Sequence, residues 1–266
     1  MHSPSSSRAL WAEIREAIAG VPPGITIGVA ARHLDRDAAF AHNGDADFPS
    51  ASTIKILILA ALARAFDEGR LDPTGRAPVR AELKVEGSGV LNWLETGLSL
   101  TLRDHAWLMT AISDNTASNV LIEAVGLDRI AATGDALGAS GTRLARMFMG
   151  RHAPPGAPRN RATAEGLVAI LSAIEEDRAA SPDRCAWMRQ LLDDQQHRDR
   201  LPRHLPPGVH YRGKTGTLDG IAHDCGTLVG PGGRLVIAVL TDGFDDPYEA
   251  DRFIGRIGTV AAGLVV

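Results

Sequence analysis

Several features are scarce in this chain of 266 residues, and each scarcity removes a class of protein. The only two cysteines, Cys185 and Cys225, lie far apart, so we expect two free thiols, the second in a buried strand. The net charge of -4 offers no basic surface for nucleic acid. The histidines and cysteines lack the spacing of a metal site, so we expect no metal and no cofactor.

Long apolar runs are missing as well. The longest, residues 54–63, contains Lys55 and is too short to cross a bilayer. It therefore predicts a buried helix, and we expect no membrane partner. The first residues carry no apolar stretch of the signal-peptide type. This predicts a cytoplasmic protein, or a secreted one if a leader has been removed.

Hydrophobic periodicity predicts strands near both ends of the chain and helices between them. The predicted strands are residues 25–31, 38–42, 209–215, 222–229 and 235–241. The predicted helices are residues 8–19, 52–68, 101–112, 117–125, 128–137, 163–174, 183–192 and 248–262. This order predicts an α+β fold, with one antiparallel sheet flanked by terminal helices and an all-helical lobe. We expect one domain of two lobes, an α/β lobe (about 8–70 and 206–266) and a helical lobe (about 71–205), with a site between them.

Three short motifs lie at the ends of these predicted helices and strands. The first is Ser52-Thr53-Ile54-Lys55 at the start of a long apolar helix. Ser52 and Lys55 are three residues apart, so they share one helix face. A lysine beside apolar residues is partly desolvated, which favours the neutral amine that can take a serine proton. A capping serine followed by a solvated lysine would give the same local sequence.

The second motif is Ser113-Asp114-Asn115 at a polar joint between two apolar helices. Its hydroxyl can relay a proton to a leaving group, and its Asn115 amide can hold a substrate carbonyl. An ordinary helix cap would look similar.

The third motif is Lys214-Thr215-Gly216-Thr217 at the end of a strand. A cation and hydroxyls there suit a substrate carboxylate, and glycine lets a ligand approach the backbone. The N–H groups of Thr217 and Ser52 are candidates for stabilising an oxyanion. A surface strand end is the alternative for this motif alone.

The three motifs in this order resemble those of the class A β-lactamases and their relatives, the penicillin-recognising serine hydrolases and transpeptidases. The resemblance extends from about residue 10 to 262. It implies that Ser52 is the acylated nucleophile, Lys55 its activating base and Ser113 a proton relay. It also implies that Asn115 binds a substrate amide, while Lys214, Thr215, Gly216 and Thr217 form the carboxylate and oxyanion side of the site.

One loop departs from the family pattern. Residues 142–146 resemble the start of the omega loop, where β-lactamases carry a glutamate and, four residues later, an asparagine. Here Phe148 and His152 fall at those two positions. Asn160 stands near the position of an aspartate that pairs with the loop arginine. His152 and Glu165 are candidates for a replacement base, and His223 and Asp224 for lining the cleft; surface or strand-edge residues are the alternatives.

The sequence therefore predicts a serine hydrolase or acyltransferase that acts through an acyl-enzyme on Ser52. The expected substrate is a small amide, ester or lactam, β-lactam-like or peptide-like, that bears a carboxylate. Loss of the glutamate removes a general-base contribution of about 10²–10⁴ in rate from deacylation. A weak but genuine class A-type β-lactamase remains an alternative. So does a binding or sensor protein that is acylated once without turnover.

Overall fold

The computed structural model describes residues 10–150 and 154–266, and its sheet joins the two ends of the chain. In chain order, the strands are β1 (Thr26–His33), β2 (Ala38–His42), β3 (Phe48–Pro49), β4 (Arg76–Pro78), β5 (Ser99–Thr101), β6 (Arg161–Ala162), β7 (His210–Leu218), β8 (Ile221–Gly230) and β9 (Gly233–Asp242). Five of them form one antiparallel sheet in the order β2-β1-β9-β8-β7. The first strand thus pairs with the last.

Helices surround this sheet and form most of the region between β2 and β7. They are α1 (Ala12–Ala19), α2 (Lys55–Asp67), α3 (Leu102–Ala111), α4 (Asn115–Val125), α5 (Leu127–Ala136), α6 (Ala164–Glu175), α7 (Pro182–Asp193) and α8 (Pro247–Ala262). Short 3₁₀ segments lie at Ala51–Ile54 and Ala81–Leu83. The predicted α+β fold is confirmed, with ends that differ by a few residues. The sequence pattern missed two small ladders, β3 with β6 and β4 with β5.

Polar side chains fix where several helices begin. Thr101 and Asp104 form a reciprocal capping box at the start of α3, which satisfies two free backbone N–H groups. The Asp114 carboxylate caps α4 by accepting from the N–H of Ala117 at 2.8 Å. A proline at the first helical position follows the capping residue in both α7 and α8.

The sheet separates two apolar cores, because successive side chains of a strand point to opposite faces. On β9, Ile237 and Val239 pack with α1 and α8, while Val236 and Ala238 belong to the core shared with the other helices. Both sets are fully buried. Strand β9 therefore carries a continuous apolar run from Leu235 to Leu240.

Helix α2 is the centre of the second core. Every residue of α2 except Arg64 and Asp67 is buried, and α3, α4, α5, α6 and α7 all contact it. A helix enclosed on all sides needs apolar residues around its whole circumference. Lys55, its first residue, is consequently carried out of solvent and is 1% exposed.

The two thiols follow the prediction: Cys185 and Cys225 are free and buried. None of the helices in residues 10–150 and 154–266 combines the length and apolar content needed to cross a bilayer. Within those same ranges, no three histidine, cysteine or acidic side chains come together as metal ligands.

The enclosed position of α2 predicts a large cost for truncating it. We expect Leu59→Ala, at a fully buried site, to lower the free energy of unfolding by about 2–5 kcal/mol, since it loses apolar contacts and leaves a cavity. Leu127→Ala, at the 37% exposed start of α5, is the matched control and should cost far less. Urea unfolding followed by circular dichroism measures both. Equal costs would show that α2 is not tightly packed.

Candidate active site

The three sequence motifs meet at one cleft of about 1160 Å³ beside the edge strand β7. Ser52 lines this cleft and also a smaller adjoining cavity of about 100 Å³. Ser113, Thr215 and Thr217 line the small cavity together with Ser52. Residues that are roughly 60 to 160 positions apart in sequence are thus gathered around one hydroxyl, as expected from the motif order.

Ser52 lies in the 3₁₀ segment before α2, not in the first turn of the α-helix as the sequence predicted. The difference arises at Ala51, whose φ of +46° is left-handed and cannot continue a right-handed α-helix. A tighter turn follows, closed by the Thr53 N–H and hydroxyl, which both donate to the Ser50 carbonyl. Ser52 is partly exposed, and among the described residues nothing hydrogen bonds to its hydroxyl.

The Lys55 amine is enclosed by acceptors and an aromatic ring. Its Nζ donates to the Ser113 carbonyl at 2.7 Å and to Asn115 Oδ1 at 2.8 Å, and lies 3.1 Å from Ser113 Oγ. The Phe148 ring centroid is 4.6 Å away. Burial, and secondarily the nearby charge of Lys214, hold the pKa of Lys55 well below its usual value, against the opposing effect of Asp114.

Two obligate acceptors account for both N–H bonds of a neutral amine. The lone pair of Lys55 is then free for the third neighbour, the Ser113 hydroxyl. The arrangement therefore suits an unprotonated lysine that accepts a proton.

Each residue of the second motif has a different task. Ser113 is buried with a left-handed φ of +60°, a conformation that persists only where its surroundings hold it. The Asp114 carboxylate is buried and accepts the N–H groups of Val90 and Leu91 at 2.7 and 2.9 Å, which attaches loop 86–91 to α4. Asn115 Nδ2 donates to the Glu86 carbonyl at 3.1 Å. Asn115 was predicted to bind substrate; its side chain already bridges this loop and Lys55.

The third motif places strand β7 directly against the serine. A Cβ atom at Gly216 would lie 3.0 Å from both the Ser52 nitrogen and Ala51 Cβ, so only glycine allows this approach without a shift. The Thr217 backbone is thereby brought beside Ser52. Lys214 is fully buried, does not line the small cavity, and donates to the Thr215 carbonyl at 3.0 Å. Desolvation lowers its pKa to about 7, opposed by Cys225 and Asp224.

Sequence reasoning missed Arg200, which lines the small cavity. Its guanidinium donates to the carbonyls of Gly216 and His223 at 2.8 and 2.7 Å and to Thr217 Oγ1 at 2.8 Å. Its Nε donates to Asp251 on α8 at 2.6 Å. The residue stands in the irregular segment before β7, where no periodicity marks it, so only the three-dimensional contacts reveal it.

Asn119 is a second residue that the motifs did not indicate. Its side chain accepts from the Phe148 N–H at 2.8 Å and donates to the Phe148 carbonyl at 3.0 Å. Since Asn119 lies on α4, four residues after Asn115, this paired contact fixes Phe148 against the site. Asn119 thus fixes the part of the cleft wall in which the Phe148 ring lies over Lys55.

Three further candidates do not reach the cleft. Glu165 is exposed at the start of α6 and lines a separate depression, so the structure does not support it as a replacement base. His223 and Asp224 are fully buried, which corrects the expectation that they line the cleft. His223 Nε2 lies 2.9 Å from the Pro49 carbonyl and its Nδ1 accepts from Thr241 N–H, so it ties β8 to the segment before Ser52. His152 lies outside the described residues.

Asp224 fixes the other wall of the site. It accepts from the Leu201 N–H at 3.0 Å and from the Tyr211 hydroxyl at 2.5 Å. Burial raises the pKa of this carboxyl to about 6, against the lowering effects of Tyr211 and Arg200. The backbone beside Arg200 is thus anchored to the sheet.

Comparison with known proteins shows the family of this chain. A family model described as the β-lactamase enzyme family matches residues 9–264. The β-lactamase AST-1 of Nocardia asteroides is 32% identical over 237 residues, which cover 86% of this chain and 75% of that protein. Matches to three Pseudomonas aeruginosa β-lactamases (PSE-4, CARB-3 and PSE-1) are 30% identical over 100 residues, so this chain spans about a third of their length, 34%.

Solved structures give the same result over nearly the whole chain. The β-lactamase of Sphaerobacter thermophilus DSM 20745 is 39% identical with a TM-score of 0.90, covering 94% of this chain and 96% of that one. PBP-A is 26% identical with a TM-score of 0.87, covering 96% and 95%. A point mutant of PBP-A, solved as an acyl-enzyme complex with penicillin G, is also 26% identical with a TM-score of 0.86, covering 96% and 95%.

The chain belongs to the β-lactamase enzyme family. At the level of that family, the predicted class of serine hydrolase is confirmed.

The buried charge of Lys214 predicts a pH dependence. An anionic acyl donor is attracted by the protonated form, which is lost as the pH rises through about 7. We expect the second-order rate of Ser52 acylation by a penicillin to fall above that pH. The arginine in Lys214→Arg keeps its charge at every accessible pH, so the acylation rate of this variant should no longer fall above pH 7. Lys84→Arg is the control, and stopped-flow or quenched mass spectrometry gives the rates. The same fall in rate in Lys214→Arg would contradict the assignment.

Proposed function

We propose that the protein is a serine hydrolase or acyltransferase that forms an acyl-enzyme on Ser52 and releases the acyl group slowly. The observation that carries the proposal is an accessible Ser52 three residues before a desolvated Lys55, whose amine contacts Ser113, Asn115 and the Phe148 ring. The proposed substrate is a small amide, ester or lactam bearing a carboxylate. Nucleic acid and membrane have no part in this proposal.

Acylation begins with loss of the Ser52 proton to the neutral Lys55, directly or through the Ser113 hydroxyl. The Ser52 oxygen then attacks the substrate carbonyl, and the N–H groups of Ser52 and Thr217 stabilise the oxyanion. As the carbon–nitrogen or carbon–oxygen bond breaks, the proton passes through Ser113 to the leaving group. The 3.1 Å between Lys55 Nζ and Ser113 Oγ supports this route.

The substrate carboxylate belongs in the small cavity. Thr215, Thr217, Arg200 and Asp199 line it; Arg200 donates to Thr217 Oγ1, and the buried Lys214 donates to the Thr215 carbonyl behind the wall. A carboxylate held there places the attached carbonyl at Ser52, which lines the same cavity. Such positioning is a major source of rate in acyl transfer.

Deacylation requires a base that activates water, and the proposed site lacks a carboxylate at the position of that base. Phe148 occupies the position that the family resemblance assigns to a glutamate, and its ring covers the Lys55 amine. An aromatic ring cannot accept a proton from water. The adduct is therefore expected to persist.

The decisive experiment is the intact mass of the protein over time after mixing with benzylpenicillin. A persistent adduct, absent in Ser52→Ala, would support the proposal. No adduct at millimolar penicillin would contradict it, and rapid loss of the adduct with consumption of drug would instead favour the alternative of a genuine class A-type β-lactamase.

A binding or sensor role without turnover is the remaining alternative. A sensor protein and a slow acyltransferase would both keep a stable acyl group on Ser52. Adding an amine acceptor such as glycylglycine separates them, because an acyltransferase would release the acyl group to the amine while a sensor would keep it.

Phe148→Glu should shorten the lifetime of the adduct by about 10²–10⁴, because it supplies a general base beside the acyl group. Phe148→Leu is the matched control, since it removes the ring without adding a base, and its adduct should stay as long-lived as that of the unaltered protein. Intact mass spectrometry after removal of excess penicillin measures both lifetimes. An unchanged lifetime in Phe148→Glu would show that another step limits deacylation.

A further inference from the structure

Two arginines on the wall of the large cleft, Arg146 and Arg159, have no carboxylate partner among the described residues. Eleven other arginines among the described residues do have one. Such pairs include Arg32–Glu176, Arg80–Glu123, Arg161–Asp47, Arg189–Asp177, Arg200–Asp251 and Arg234–Asp35. Arg146 is half-buried and Arg159 is exposed, and unpaired positive charge on a cleft wall is a candidate for binding an anion.

Hydrogen bonds at the neck of a loop fix the backbone at Arg146 and on both sides of Arg159. Asn160 Oδ1 accepts from the Arg146 N–H at 3.0 Å, and its Nδ2 donates to the Arg146 carbonyl at 3.1 Å. Arg146 Nε in turn donates to the Pro158 carbonyl at 2.7 Å, directly before Arg159. The Asn160 amide contacts only the backbone of residues 145 and 146, and as a neutral group it does not compensate the charge of the Arg146 guanidinium.

The Arg146 side chain is half-buried and aimed by the loop itself. Nε and Nη1 donate to the carbonyls of Pro158 and Met147. Both N–H bonds of Nη2 have no acceptor in the described part of the chain. A fixed guanidinium with a free nitrogen facing a cleft loses little entropy when it binds a carboxylate.

The neck also lies close to the nucleophile. The Ser50 N–H donates to the Asn160 carbonyl at 2.9 Å, two residues before Ser52. Ser52 lines both cavities, whereas Arg146 and Arg159 line only the large one and Thr215 and Arg200 only the small one. A substrate attached at Ser52 can therefore extend into both cavities. The acids that line the large cleft are Glu86, Asp219 and Asp245.

We propose that Arg146 and Arg159 form a second anion subsite, which selects acyl donors with a carboxylate on the acyl side of the scissile bond. This rests on the proposed function and makes its substrate class narrower: a molecule with two carboxylates, one on each side of the carbonyl that Ser52 attacks. The first is held at the small cavity and the second at the loop neck.

Two penicillins test this subsite, because they share one scaffold and differ by one charge. Carbenicillin carries a carboxylate on its acyl side chain that benzylpenicillin lacks. The measured quantity is the ratio of their second-order rates of Ser52 acylation, followed by intact mass. In both Arg159→Gln and Arg146→Gln we expect this ratio to fall by up to about fivefold, the upper end of the range for exposed ion pairs. Higher salt should lower the ratio in the unaltered protein, and should lower it less in each variant.

Arg143→Gln is the matched control, since Arg143 is exposed in the same loop region, bonds to Arg161 through backbone only, and does not line the cleft. Its ratio should equal that of the unaltered protein. If Arg146→Gln disturbs the loop, as a lowered melting temperature would reveal, Arg159→Gln carries the test. Unchanged ratios with normal benzylpenicillin labelling would overturn the subsite alone. Absence of labelling by both penicillins would overturn the proposed function and the subsite with it.

Discussion

The burial of one amine, that of Lys55, is the constraint on which the rest of the site depends. Helix α2 is enclosed by five other helices, and it carries Lys55 into a region that water does not reach. A cation there would be costly, so the neutral form is favoured. The same burial demands acceptors for the N–H bonds, and the Ser113 carbonyl and Asn115 amide supply them. The packing of α2 therefore also sets the protonation state of Lys55.

The walls around this amine are fixed by residues that never touch a substrate in the proposed mechanism. Asp114 holds loop 86–91, Asn119 holds Phe148, and His223 joins β8 to Pro49. Each uses a buried polar side chain to bind backbone groups of a neighbouring segment. Replacing such a residue would leave buried donors or acceptors without partners, which costs about 1–3 kcal/mol for each group. The irregular segments of the site are therefore as well defined as its helices and strands.

The main helices and strands and the position of the site could be predicted from the sequence. The features that it did not predict are local backbone conformations and individual side-chain contacts. Periodicity located the main strands and helices, because burial on one or two faces leaves a regular apolar pattern. The motifs Ser52–Lys55, Ser113–Asn115 and Lys214–Thr217 located the site, since their residue types are rarely combined otherwise. The left-handed Ala51, which places Ser52 in a 3₁₀ turn, could not be foreseen, because alanine seldom adopts that conformation. Nor could Arg200 or Asn119, whose importance lies in contacts across 16 and 29 positions of sequence.

The pairing of β1 with β9 has a consequence for how the protein must be assembled. The two strands are separated by some two hundred residues, so closing the sheet joins very distant parts of the chain, which is entropically costly and slows folding. During synthesis, β1 and β2 emerge early and can pair with each other, but the other edge of β1 has no partner until β9 is made. The edge strand β7, which supports the Ser52 segment, is attached to β1 only through β8 and β9. The nucleophile can therefore reach its final geometry only after nearly the whole chain has left the ribosome.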